Sequence, residues 1–170
     1  MKTIIKIAFL LFIFFNLVGC GYRPSSQFAR QTLGEKISTS VVISALDPEN
    51  TVIIKDAVDS ALIQVLHSSL VDKEYSDTHL VLRMGTPVYT PIIYDTNGYI
   101  IGYRMGITLF IKRFHNGVST TYTTRGNHDF EVAPNAVVTD QDRFDAIKIS
   151  ATKAIRAFIA QVSAEGARSK

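Results

Sequence analysis

The sequence predicts an α+β fold, a two-layer α/β sandwich in the order β-α-β-β-β-α, whose four-stranded mixed sheet carries two helices on one face. Two turn signals between β-branched segments indicate a single strand register, and two segments repeat apolar residues at helical spacing. The chain has 170 residues and 46% hydrophobic content. This is enough for one domain with a core of its own.

The N-terminal segment is typical of an export signal. Lys2 and Lys6 accompany the apolar run Ile7–Phe15, which is shorter than the roughly 20 residues that a membrane-spanning helix needs. Residues 1–19 are therefore predicted to be a lipoprotein signal peptide that is removed. Without its two lysines the formal net charge falls from +3 to +1. The mature chain is nearly neutral, and no nucleic-acid partner is expected.

The sequence Leu17-Val-Gly-Cys20 resembles the bacterial lipobox, in which the cysteine thiol is diacylated and the cysteine becomes the first mature residue. Cys20 is thus the predicted lipid attachment site, with palmitate as an acyl group, and no other cofactor is expected. Several acyl chains hold a protein on a bilayer where one alone is marginal. The alternative is an ordinary signal peptide with a coincidental cysteine. By resemblance to the sorting rules of bacterial lipoproteins, Gly21 in place of Asp after the cysteine implies transfer to the outer membrane. The domain is then expected to face the periplasm.

Residues 20–35 are predicted to be a flexible tether, since they show no regular apolar period. A single domain is predicted over residues 36–165. It begins with the β-branched strand Ile37–Ile43. Turn and cap residues at Asp47–Thr51 then lead into an amphipathic helix that ends near Val71.

Two turns organise the next segment into three antiparallel strands. Asp95–Gly98 joins strands at residues 79–94 and 99–114, and Asn116-Gly117 is the dipeptide best suited to a type I′ hairpin. Both turns place apolar residues opposite one another on the same face, and a one-residue slip would invert every side chain. The predicted register pairs Tyr94 with Tyr99, Val88 with Met105, Leu82 with Ile111, Met105 with His128 and Ile111 with Tyr122.

Thr139, Asp140 and Asp142 begin a second long amphipathic helix, which is followed by a frayed tail at residues 166–170. Thr139 suits the N-cap position, and acidic residues in the first turn favour the helix dipole. With Asp145 these acids could suggest calcium, but the glycine and the final glutamate of a calcium loop are missing. Both helices have one apolar stripe to bury, so the sheet is left with one uncovered face.

The uncovered sheet face carries cations, aromatic residues and several glycines in the predicted register. Glycine within a strand reduces stability unless something must approach the backbone closely or the sheet must bend. Cations suit phosphate groups, and aromatic rings suit acyl chains or another protein. The alternative is an ordinary solvated face. The candidate contacts for an anionic amphiphile or a partner are Arg83, Tyr89, Arg104, Phe110, Lys112 and Arg125.

The sequence does not predict an enzyme. The four histidines have no Ser or Cys partner at a recognisable spacing, and no phosphate-binding loop or dinucleotide-binding turn is present. The single cysteine excludes an intramolecular disulfide. No metal site is expected either, because spaced pairs of ligands are missing.

The lipobox with Gly21-Tyr22, the tether and the order of elements resemble a divergent branch of the LptE family, the lipoprotein subunit of the outer-membrane lipopolysaccharide translocon. Ile37–Ile43, Asp47–Val58 and the helix from Phe144 to Arg168 carry the resemblance. It implies a non-enzymatic assembly subunit that sits as a plug inside the LptD β-barrel, helps it to fold and binds lipopolysaccharide through basic residues. The candidate cations above rest on the strand register and not on the resemblance.

A second hypothesis is a free lipid-anchored periplasmic binding module for an anionic amphiphile or a cell-wall polymer. A third is a lipoprotein enzyme, which would require a cleft with coupled titratable groups.

Overall fold

The computed structural model describes residues 25–42, 55–56, 58–60, 62–64, 68–134 and 136–168. The predicted signal peptide at 1–19 and the predicted lipid attachment site Cys20 lie outside these ranges. Within them, no helix combines the length and the apolar character that crossing a bilayer requires.

A six-stranded mixed sheet forms the centre of the fold. Strand β5 is the longest, and it pairs antiparallel with β3 and β4 on one side and with β6 on the other. Strand β1 pairs in parallel with both β2 and β3. The strands are β1 (Lys36–Val41), β2 (Ser69–Leu70), β3 (Thr78–Met84), β4 (Val88–Tyr94), β5 (Ile100–His115) and β6 (Val118–Glu131).

Helical segments cover one face of this sheet. They are α1 (Ser25–Leu33), α2, of which residues 55–56, 58–60 and 62–64 are described, and α3 (Asp140–Arg168). Buried residues of all three helical segments join those of the sheet in one hydrophobic core. The predicted α+β two-layer class is confirmed, with six strands where four were predicted.

Helix α1 belongs to the folded unit, so the predicted tether is wrong over residues 25–33. Ala29 and Leu33 lie one helical turn apart and are fully buried. The helix packs against the end of α3 so closely that a Cβ on Gly166 would lie 2.5 Å from the carbonyl oxygen of Phe28. The same contact explains why α3 continues beyond residue 166, where a frayed tail was predicted.

The helix predicted to end near Val71 ends earlier, because Ser69–Leu70 form strand β2. So short a strand has no periodicity that a sequence pattern could detect. The prediction at the start of α3 is confirmed. The backbone amide of Asp142 donates to Thr139 Oγ1 at 3.1 Å, and Thr139 Oγ1 donates to the Asp142 carboxylate at 2.6 Å. The Asp142 carboxylate also accepts from the backbone amide of Thr139 at 3.1 Å, and the two bonds that Thr139 donates to it hold the pKa of Asp142 below its ordinary value.

The predicted register is confirmed for β3, β5 and β6. Leu82 faces Ile111, Ile111 faces Tyr122, and Met105 faces His128. The hairpin at Asn116-Gly117 explains the agreement between β5 and β6, since both turn residues adopt positive φ as a type I′ turn requires.

The register is wrong by one residue in β4. Val88 lies opposite Gly106, not opposite Met105 as predicted. The predicted strand 79–94 is in fact two strands, separated by Gly85-Thr86-Pro87. Proline has no N–H to donate to a ladder, so the pairing stops there and resumes one residue out of step. The side chains of residues 88–91 are therefore on the opposite face from the one predicted.

The two layers approach each other closely at Gly126 of β6. A Cβ at this position would collide with the carbonyl oxygen of Ser150 and lie 2.6 Å from the backbone nitrogen of Ala154. Only a residue without a side chain lets α3 lie so near the sheet. A second glycine, Gly85, has ordinary space, since a Cβ there would be 3.4 Å from its nearest neighbour.

We expect Gly126→Ala to lower the free energy of unfolding by about 1 to 3 kcal/mol, because α3 must shift away from β6. Denaturant unfolding of the purified protein measures this change. Gly85→Ala is the matched control and should change stability by less than about 0.5 kcal/mol. Equal destabilisation by both substitutions would contradict the close packing of α3 on β6.

Candidate functional site

The sheet face that points away from the helices is called the open face here. Burial alternates along β5 from Arg104 to Lys112, where Leu109 and Ile111 are fully buried while Phe110 is half-buried and Lys112 is exposed. Among the residues that the structure describes, none forms a layer over this side. The open face consists of Ser38 and Ser40 of β1, His79, Val81 and Arg83 of β3, Val88 and Thr90 of β4, the even-numbered residues 104–114 of β5 and the odd-numbered residues 119–131 of β6.

The structure places five of the six predicted contact residues on the open face: Arg83, Arg104, Phe110, Lys112 and Arg125.

Tyr89 is the exception, and its predicted place on the uncovered face is wrong. The one-residue shift in β4 puts it opposite Met105, on the side covered by the helices. Its ring packs against the core and meets the ring of Phe130 edge-on, with 6.4 Å between the centroids. Tyr89 is therefore a packing residue.

Two cations of the open face lie over aromatic rings. The guanidinium carbon of Arg83 is 4.3 Å from the ring centroid of Phe110, and Lys112 Nζ is 4.9 Å from that of Phe114. Such contacts are electrostatically favourable and hold the charged group above an apolar base. This part of the open face therefore combines positive charge with hydrophobic surface.

Arg104 differs from the other cations because its charge is paired. Its Nε and Nη2 each donate to one carboxylate oxygen of Asp129, both at 2.7 Å. The hydrogen bond from Arg104 lowers the pKa of Asp129, and the same bond raises the pKa of Arg104. Both side chains are exposed, so the pair organises the surface more than it stabilises the fold.

A shallow depression of about 230 Å³ lies between Arg104 and Arg125. Gly106 and Val88 contribute to its lining, together with the hydroxyl-bearing residues Thr86, Thr90 and Thr108. Its volume is below the roughly 300 Å³ at which ligand pockets begin. The depression can therefore receive one anionic group of a larger molecule rather than the whole molecule.

His79 has two serine partners that the spacing of residues in the sequence did not reveal. Because β1 and β3 are parallel, Ser38 lies opposite His79. Ser38 Oγ is 2.8 Å from Nδ1 of the imidazole, and Ser40 Oγ is 2.9 Å from Nε2. Ser38 and Ser40 alternate along β1, but this signal becomes readable only when the register between β1 and β3 is known.

The direction of this network follows from its last acceptor. Ser76 Oγ donates to the carbonyl oxygen of Lys73, and Ser38 Oγ donates to Ser76 Oγ, both at 2.8 Å. Ser38 must therefore accept from Nδ1–H of His79, which leaves Nε2 as the acceptor for Ser40. Burial, and secondarily the charge of Lys73, lowers the pKa of His79. Both effects disfavour the charged form of the ring.

Metal ligands do not cluster in the described ranges, where no group of three His, Cys, Asp or Glu side chains could hold an ion. Asp142 serves the N-terminus of α3, as its bonds with Thr139 show.

Comparison of the sequence with protein-family models and with curated proteins finds no match. Solved structures match the fold. A predicted lipoprotein from Caulobacter crescentus aligns with a TM-score of 0.57 at 12% identity, covering 84% of this chain and 98% of that one. An uncharacterised lipoprotein B from Nitrosomonas europaea aligns with a TM-score of 0.50 at 10% identity, covering 78% and 84%. This chain therefore shares its α+β fold with proteins described as bacterial lipoproteins.

Proposed function

We propose that this protein is an outer-membrane lipoprotein subunit of the lipopolysaccharide transport and assembly complex, anchored through Cys20 and facing the periplasm. It acts as plug and assembly partner of an LptD-like β-barrel and binds lipopolysaccharide, without catalysis. The observation that carries the proposal is the open face, which offers cations above aromatic rings on a sheet whose other side is packed. The lipobox and the shared fold with other lipoproteins support it.

Lipopolysaccharide is an anionic amphiphile, so its binding site must serve phosphate groups and acyl chains together. Arg83 and Lys112 supply charge-assisted hydrogen bonds to phosphate, and the rings of Phe110 and Phe114 below them supply apolar area. These two pairs are neighbours on the sheet, because Phe110 and Lys112 are two residues apart in β5. The arrangement gives one ligand both kinds of contact at once.

A position inside a barrel suits the rest of the open face. The lumen of a membrane β-barrel is polar, and the β6 side of the open face carries Ser119, Thr121 and Thr123 beside Lys112. Hydroxyl groups can donate hydrogen bonds to a polar wall and accept them from it, without the large free-energy cost of desolvation that the burial of a charge carries.

A second candidate is a free lipid-anchored periplasmic binding module for an anionic amphiphile or a cell-wall polymer. The depression between Arg104 and Arg125 favours it, since this feature can hold one anionic group without any barrel around it.

We expect the double variant Arg83→Glu/Lys112→Glu to bind lipopolysaccharide at least about tenfold more weakly than the wild type, because two attractive contacts become repulsive. Binding of purified lipoprotein to labelled lipopolysaccharide measures this. The matched control is Arg143→Glu/Lys148→Glu on the exposed side of α3, which changes the net charge equally and should keep wild-type affinity. Undiminished binding by the first variant, or an equal loss in the control, would overturn the assignment of the open face.

Purification of the tagged lipoprotein from its own membranes in mild detergent separates the two candidates. As a subunit it should elute with a barrel of LptD size at one-to-one stoichiometry. If the cell contains such a barrel and the lipoprotein elutes without it, the subunit proposal is wrong and the free binding module takes its place.

A further inference from the structure

The outer edges of the sheet are built differently from one another. Strand β2 is only two residues long, and β4 contains Pro91 and two register irregularities. Short strands, proline and bulges are devices by which proteins prevent pairing with other chains. Strand β6 has none of these, since its 14 residues keep one register with β5 throughout. Its segment Val118–Thr124 also contains no charged residue and no proline.

The backbone groups that β6 leaves unpaired follow from its pairing with β5. The amide of Val132 donates to the carbonyl oxygen of Ile101, so even-numbered residues face β5 in this constant register. The N–H and C=O groups of odd-numbered residues then point away from the sheet. Lys153 confirms this direction, because its Nζ donates to the outward carbonyl oxygen of Asn127 at 2.8 Å. Among the described residues, no strand pairs with this edge.

Positive charge surrounds the middle of this edge on both faces. Arg125 is exposed on the open face. On the helical side, Lys153 lies at the edge, and Arg156 and the partly exposed Ile149 are on the same flank of α3 at helical spacing. A cleft of about 390 Å³, lined by Arg104, Asn127, His128, Asp129 and Lys153, opens here.

We propose that β6 accepts an extended acidic peptide segment of a partner protein, which adds to the sheet as a seventh strand along residues 119–127. Its backbone would pair with the outward groups of the odd-numbered residues, and its acidic side chains would contact Arg125 and Lys153. Strand addition gives affinity through main-chain hydrogen bonds and selectivity through alternate side chains. The site lies at the sheet edge and does not depend on lipopolysaccharide binding by Arg83 and Lys112.

Residue-resolved hydrogen exchange of the mature lipoprotein in detergent tests the proposal. The probes are two synthetic peptides long enough to cover residues 119–127, one alternating Glu with Val and one alternating Lys with Val. The Glu peptide should slow exchange of the amides of Thr121, Thr123 and Arg125 by at least about tenfold, while the Lys peptide should not. No slowing by the Glu peptide, or equal slowing by both, would overturn the proposal.

Thr123→Pro tests the backbone contact directly, because its outward N–H is lost while no bond to β5 is broken. This variant should bind the Glu peptide at least about tenfold more weakly than Thr123→Val, the control that keeps the N–H. Equal binding by the two variants would refute strand addition.

Slow exchange of the even-numbered amides verifies that each variant is folded. If Thr123→Pro does not fold, Thr121→Pro replaces it as the test variant. Arg83→Glu/Lys112→Glu should bind the Glu peptide as the wild type does, which separates this proposal from that of lipopolysaccharide binding.

Discussion

The packing of α3 on β5 and β6 is the constraint on which the rest of the structure depends. Gly126 lets the helix backbone approach the sheet so closely that any side chain there would collide with Ser150. This contact seals one face of the longest strands, and α1 then completes the layer by packing against α3 at Gly166. Because the apolar residues of both helices are used on this side, the opposite face of the sheet carries mainly polar, charged and aromatic side chains.

The chemistry of the open face follows from that division. Rings such as that of Phe110 are half-buried on the open face, and cations such as Arg83 extend over them. Not every cation is equivalent, since Arg104 is held by Asp129 while Arg83 and Lys112 stand above rings. The surface is thus suited to an amphiphile with separated phosphate and hydrocarbon parts, and this is the basis for proposing a lipopolysaccharide-assembly subunit rather than an enzyme.

Sequence patterns predicted those parts of the fold that local chemistry determines. Asn116-Gly117 fixed the β5–β6 register, and Thr139 with Asp142 marked the start of α3. Features that depend on distant contacts were missed. The interruption at Pro87 shifts β4 by one residue and places Tyr89 on the core side. The prediction missed this shift because it set the register from the turn at residues 95–98, and that turn carries no information about an interruption earlier in the strand. Helix α1 is short and is held mainly by α3, and the serine partners of His79 depend on a parallel register that no tight turn specifies.

The central claim is that the open face is the contact surface for ligand and partner, so that in the cell it is covered more completely than the outer side of α3. The sequence contains one cysteine, Cys20, and acylation would make its thiol unreactive toward maleimide. A cysteine introduced by Lys112→Cys then reports the accessibility of the open face, and one introduced by Lys148→Cys reports that of the outer side of α3. In outer-membrane preparations, Lys112→Cys should label at least about tenfold more slowly than Lys148→Cys, and the two should label alike once the lipoprotein is isolated in detergent. Equal labelling of both positions in the membrane would contradict the account.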